Sequence, residues 1–194
     1  MATKIKEAVE VSPLKRVSSL RRNNLLYNGD TWRIPKSIGG IACTHGTDIR
    51  SIVRLARDGH FSGAFPELQG EFYTIPNHQF VDLDKSSLRP EIIEAILNHK
   101  VDAIEKAIEY AEGDSATTAI AEESQSSDHH GVVIAFKGNA LSADSKFWLN
   151  EDDGSPELIF PHAPSLETIQ GIYPVDLEAA RNLKQELARL AIQQ

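Results

Sequence analysis

Between residues 131 and 175 the chain reads as strands and little else. "GVVIAFKG", "KFWLN", "ELIFP" and "IQGIYPV" are short β-rich segments separated by turn formers, all lying between Gly131 and Val175. The part before them is mixed. "GGIACTH" is a short strand candidate, and Asp48 is placed to N-cap a helix over Ile49 to Arg57. There Ile49, Ile52, Val53 and Ala56 share a face, and Asp58-Gly59 stops the helix. "EFYTIP" is a second strand candidate, cut off by Pro76. With Pro90 suited to a first helical turn, residues 91–112 predict one long helix, with Ile93, Ile96, Leu97, Ile104, Ile108 and Ala111 as a single apolar stripe. A last helix is expected over Leu177 to Ile192, with Leu177, Ala180, Leu183, Leu187 and Leu190 along one side, facing the core or a partner. Helices gathered early and strands gathered late predict an α+β fold: a mostly antiparallel sheet with flanking helices.

At 194 residues, 41% hydrophobic and 25% charged, the chain is long enough to bury one good core. No apolar run approaches the roughly 18 residues needed to cross a bilayer, and the N-terminal lysines are followed by no apolar signal region. The expected location is cytoplasmic, or exported without such a signal. Cys43 is the single cysteine, which excludes an internal disulfide framework and suits a small buried hydrophobe. Residues 1–24 read as a basic, solvated arm, with Lys4, Lys6, Lys15, Arg16, Arg21 and Arg22 against Glu7 and Glu10; residues 25–194 read as one domain. The net charge of −8 makes the rest acidic, which opposes sequence-independent nucleic-acid binding. Residues 112–130 are polar and without period, and are expected to form a mobile surface loop. His129-His130 beside Asp128 lacks the converging ligands a metal needs, so no metal is expected. No GxGxxG, GxxxxGK or GxSxG stretch occurs.

The candidate site begins at "GIACTHGTDIRSIV", where Thr44-His45-Gly46-Thr47 is expected to turn from strand into helix and no packing demand visible in the sequence accounts for the histidine and glycine. "GEFYT" follows one loop later, and "SPELIFPHAPSLETIQGIYPV" lies near the end of the chain. In order and strand context, these segments resemble the ADP-ribosyltransferase family, in its diphtheria-toxin-like and poly-ADP-ribose-polymerase-like branch, whose members carry a His-Tyr-Glu constellation. The resemblance spans about Ile41 to Val175 and implies a split, mostly antiparallel sheet, with NAD as substrate. Glu71 stands where relatives often have glycine.

The chemistry fits those residue types. Breaking the nicotinamide–ribose bond of NAD develops positive charge on the anomeric carbon, as in glycoside cleavage. Nicotinamide leaves as a neutral molecule, so one carboxylate suffices. The resemblance assigns that carboxylate to Glu157. It implies that His45 bonds a ribose hydroxyl and that the Gly46 main chain meets the nicotinamide carboxamide. Thr47 either steadies the turn or serves the helix cap. Tyr73 would stack on the pyridinium with an energy of roughly 0.5 to 2 kcal/mol. Phe72, one residue earlier, would face the core. Phe61 and Phe65 are candidates to close the pocket, or else plain loop anchors.

The expected reaction is mono-ADP-ribosyl transfer to a protein acceptor, as by a toxin or effector, with "IPNHQFVDLDKSS" a candidate for shaping the acceptor side. Transfer to nucleic acid, hydrolysis of NAD, a catalytically silent NAD or ADP-ribose binding module, and an interaction protein that docks through the basic arm and the last helix all stay open.

Overall fold

The computed structural model describes residues 27–28, 31–32, 40–59, 61, 70–83, 87–112 and 130–192. The arm over residues 1–24, Phe65, His129 and nearly all of the expected loop at residues 112–130 lie outside them. Among the described residues, strands β1 (Tyr27–Asn28) and β2 (Thr31–Trp32) pair with each other in a sheet of their own. The main sheet comprises β3 (Cys43–Asp48), β4 (Phe72–Pro76), β5 (Gly131–Phe136), β6 (Lys146–Leu149), β7 (Pro156–Phe160) and β8 (Ile169–Pro174). Its order is β6-β7-β4-β3-β5-β8, with every neighbouring pair antiparallel. Among the described residues five helices stand around it: α1 (Ile49–Asp58), α2 (His78–Leu83), α3 (Pro90–Asn98), α4 (Ala103–Glu112) and α5 (Leu177–Ile192). The class is α+β, as the order of segments predicts. No described helix is long and apolar enough to cross a membrane.

Two local expectations are corrected. The stretch 91–112 is two helices rather than one. Asp102 Oδ1 accepts the N–H groups of Ile104 (2.9 Å) and Glu105 (3.1 Å), so it opens a new helix where the periodic pattern runs on unbroken. The single stripe is thereby divided between the two faces of the sheet: Ile93 and Ile96 of α3 pack on one, Ile104 and Ala111 of α4 on the other. Likewise His45-Gly46-Thr47 is not a turn. The whole of β3, from Cys43 to Asp48, pairs with the apolar strand β5, which holds these residues extended. The turn into α1 comes at Asp48, whose side chain accepts the Ser51 N–H at 2.9 Å.

The core has two layers of different grain. On one face of the sheet Cys43, Phe72, Val132, Ile134, Phe136, Leu158, Phe160 and Ile172 meet α1, α3 and α5. The apolar side of α5, through Ala179, Leu183 and Leu187, is core, with Leu190 packed against it. On the other face Ile41, Val133, Ala135 and Tyr173 meet Ile104, Ala107 and Ala111 of α4. Here the helix lies close: a Cβ added at Gly46 would stand 2.2 Å from the Ala107 carbonyl oxygen, and one at Gly131 would stand 2.6 Å from that of Ala111. Thr44 donates its hydroxyl to the Ala103 carbonyl at 2.6 Å, anchoring the start of α4 to β3. The glycine of the "HGT" stretch therefore does answer a packing demand, set by a helix about sixty residues later in the chain.

Candidate active site

The sheet is not evenly joined. Strand β4 pairs with β3 only through Cys43 with Pro76 and Thr44 with Ile75. Its other end, Phe72 to Thr74, pairs with β7. Strands β3 and β4 thus part company beyond Thr44. The resulting gap lies at the centre of the sheet, where His45 and Gly46 on one side face Tyr73 on the other.

Which main-chain groups face the gap follows from the ladder of β5. Val175 N–H donates to the Gly131 carbonyl on the β8 side (3.0 Å), and Ile49 N–H donates to the His130 carbonyl on the β3 side (3.1 Å). Antiparallel pairs alternate between bonded and non-bonded, so His45 and Thr47 turn their backbone groups to β5 while Thr44 and Gly46 turn theirs toward β4. Thr44 finds a partner there in Ile75. Gly46 has no ladder partner on β4. The carbonyl that a continued ladder would give it, that of Tyr73, is taken by His45, whose Nδ1 lies 2.8 Å from the oxygen.

A carbonyl only accepts, so His45 Nδ1 carries the hydrogen and Nε2 is a bare acceptor. Nε2 meets no hydrogen-bond partner among the described residues. The imidazole rests against Phe72, with ring centroids 4.4 Å apart, on the face of the sheet opposite to Tyr73 and Glu157, so of the three only the latter two share a face. Desolvation lowers its pKa to about 4, against a weaker opposing effect of the Tyr73 carbonyl, so it is neutral near pH 7.

Tyr73 and Glu157 project from adjacent strands on the α4 face. Tyr73 is paired with Ile159, two residues from Glu157, which places the two side chains diagonally on that face. Trp148 of β6 lies directly opposite Glu157, and its ring meets that of Tyr73 edge-on at 6.2 Å. Glu71 lies at the rim, where its carboxylate accepts from the Tyr73 hydroxyl (3.4 Å) and pairs with Lys146 (3.0 Å). Burial and the carboxylates of Glu71 and Glu157 raise the Tyr73 pKa, so its phenol stays protonated.

Glu157 is 4% exposed, an unusual place for a carboxylate. Tyr110 of α4 donates its hydroxyl to Glu157 Oε1 at 2.9 Å, and Asn150 Nδ2 donates to the same oxygen at 3.3 Å. Desolvation raises the Glu157 pKa, and these two donors hold it back. Nothing in the sequence pattern singled out Tyr110 or Asn150. Tyr110 sits between the apolar positions of its helix, and Asn150 reads as an ordinary turn former after "KFWL".

The remaining candidates divide. Thr47 lies within β3, paired with Val132, and Asp48 alone caps α1. Phe61 packs on Phe72 (5.0 Å) and Phe136 (6.3 Å), which places it among core rings. Phe72 is itself buried in the core. In the segment "IPNHQFVDLDKSS", Asn77 ties the end of β4 to the Ile41 carbonyl (2.7 Å), and residues 78–83 form α2 with Val81 buried. Cys43 is buried, and burial pushes its thiol up to about 12. Among the described residues no group of three or more His, Cys, Asp or Glu side chains is placed to hold a metal ion. No protein-family model matches this chain, and neither a curated protein nor a solved structure does.

Proposed function

We propose that this protein is an NAD-dependent mono-ADP-ribosyltransferase that cleaves the nicotinamide–ribose bond and passes ADP-ribose to a protein side chain. One observation carries the reading. Residues about 110 apart in sequence, His45, Tyr73 and Glu157, stand on the three adjacent strands β3, β4 and β7 around the place where the sheet parts. Gly46 supplies a main-chain N–H and C=O at that gap, a match for the donor and acceptor of a carboxamide. The neutral His45, with Nε2 a bare acceptor, suits a ribose hydroxyl. Tyr73 offers a ring to the pyridinium, and Glu157 is the buried negative charge that an oxocarbenium-like state requires.

The test is incubation with NAD labelled in its adenylate half, alone and with cell lysate, resolved into free nicotinamide, labelled protein and labelled nucleic acid. Nicotinamide release with labelled protein is the expected result, and Glu157→Gln is expected to lower release by about a hundred- to a thousandfold. Free ADP-ribose alone would make the protein a hydrolase, and labelled nucleic acid would move the acceptor class. An absence of any release, together with no rise in Tm at millimolar NAD, sinks the NAD reading altogether.

A further inference from the structure

The hydrogen bonds around Glu157 do more than bury it. Tyr110 has one hydroxyl proton and two carboxylates in reach, Glu157 Oε1 at 2.9 Å and Asp153 Oδ2 at 3.4 Å. The shorter contact takes the proton, because Asp153 is satisfied elsewhere, by the Ser155 N–H (2.8 Å) and Lys106 Nζ (3.0 Å). Asn150 is oriented by its own turn. Its Oδ1 accepts the Asp152 N–H at 3.0 Å, which leaves both Nδ2 hydrogens for Tyr110 (3.1 Å) and Glu157 (3.3 Å). The turn that carries it is tied at both ends, Asn150 N–H to the Ser155 carbonyl (2.9 Å) and Gly154 N–H to the Asn150 carbonyl (2.8 Å). Both donors converge on Oε1, and Oε2 has no hydrogen-bond partner among the described residues.

We propose that Tyr110 and Asn150 are positioning residues that fix the Glu157 carboxylate through one oxygen, keep it ionised, and present the other oxygen to the ribose. The role in turnover rests on the NAD reading above; the clamp itself does not. Helix α4 is what makes it possible. Its close seat over Gly46 and Gly131 brings Tyr110 down to β7, so the small residues of that face and the carboxylate belong to one device. The charged and titratable groups facing Glu157 are Tyr110 and Lys106 from α4, Asp153 from the turn after β6, and Tyr73 from β4. The loss of a donor to the ionised form should therefore raise its titration midpoint.

The test measures the titration of the Glu157 side-chain carboxyl by carbon-13 NMR in the wild type, Tyr110→Phe and Asn150→Ala, beside nicotinamide release. In both variants the midpoint is expected to move upward, and kcat to fall by about ten- to a hundredfold with KM for NAD unchanged, since a neutral donor to a charge is removed while NAD contacts remain. The kcat deficit is also expected to narrow as pH rises. An unchanged Glu157 midpoint in Tyr110→Phe overturns the clamp whether or not the protein turns over NAD. Full kcat with a shifted midpoint overturns the role in turnover. A midpoint shifted in both variants, beside a wild type that releases no nicotinamide, overturns the NAD reading and upholds the clamp.

Discussion

The two faces of the sheet are packed by opposite means. The face under α1, α3 and α5 is filled by large side chains, with Ile134 and Phe136 of β5 fully buried against them. The face under α4 is filled by closeness, with Ala107 and Ala111 set against Gly46 and Gly131. The first arrangement gains stability from apolar area. The second gains less, and brings a helix near enough for one of its hydroxyls to reach a strand carboxylate. Polar chemistry gathers on the second face for that reason: Glu157, Tyr73, Tyr110, Asn150 and Trp148 all lie on or beside it.

Opposite substitutions should break the two faces. Ile134→Ala leaves a cavity in the large-side-chain layer and is expected to cost about 4 kcal/mol in urea unfolding. Gly46→Ala does harm by addition, since its methyl meets helix backbone that cannot swing aside; about 3 kcal/mol is expected. A Gly46→Ala protein as stable as the wild type would mean that α4 rides further off than described.

His45, whose ring lies against Phe72 on the large-side-chain face, gives a smaller effect that depends on pH. Its folded pKa of about 4 lies below its ordinary 6.5, so its contribution to stability is present above pH 6.5 and is lost as pH falls through 4. A shift of that size is worth at most about 3 kcal/mol, and the partial exposure of the ring reduces it. Unfolding midpoints between pH 7 and 4 should fall more steeply for the wild type than for His45→Asn.

The smallest effect has the opposite sign. Burial raises the Glu157 pKa above 4.5, so its favourable contribution exists below that value and vanishes as pH rises through the folded one. Where it is ionised, the buried charge opposes folding. Glu157→Gln, which keeps the Asn150 and Tyr110 contacts, should raise Tm by roughly 2–4 °C at pH 7 and by nothing near pH 3, even as it removes the nicotinamide release proposed above. A lower Tm at pH 7 would show the carboxylate to be structural.

The legible parts of the fold were those decided by local pattern. The strands after residue 130, helix α5 from Leu177 to Ile192, and the Asp48 cap with its Gly59 stop are all visible as periodicity and punctuation. What escaped depends on partners distant in sequence. The "HGT" stretch is extended only because β5 supplies a ladder to it, and the 91–112 stripe looks continuous because periodicity cannot tell which face of a sheet each turn will meet. Of the candidate site, His45, Gly46, Tyr73 and Glu157 stood out as motif residues because they lie in strand segments with distinctive neighbours. Tyr110 and Asn150 carry no such signal, because their meaning lies in the distance to Glu157, which only the crossing of α4 creates.

The missing rung opposite Gly46 has a consequence for what can settle there. A peptide group with no ladder partner among the described residues asks a visitor for one hydrogen to accept and one to give, side by side and in plane. A primary amide answers both requests with a single flat group, whereas a carboxylate answers only one, so charge-neutral amides should be preferred over their acids before any other part of the guest is felt.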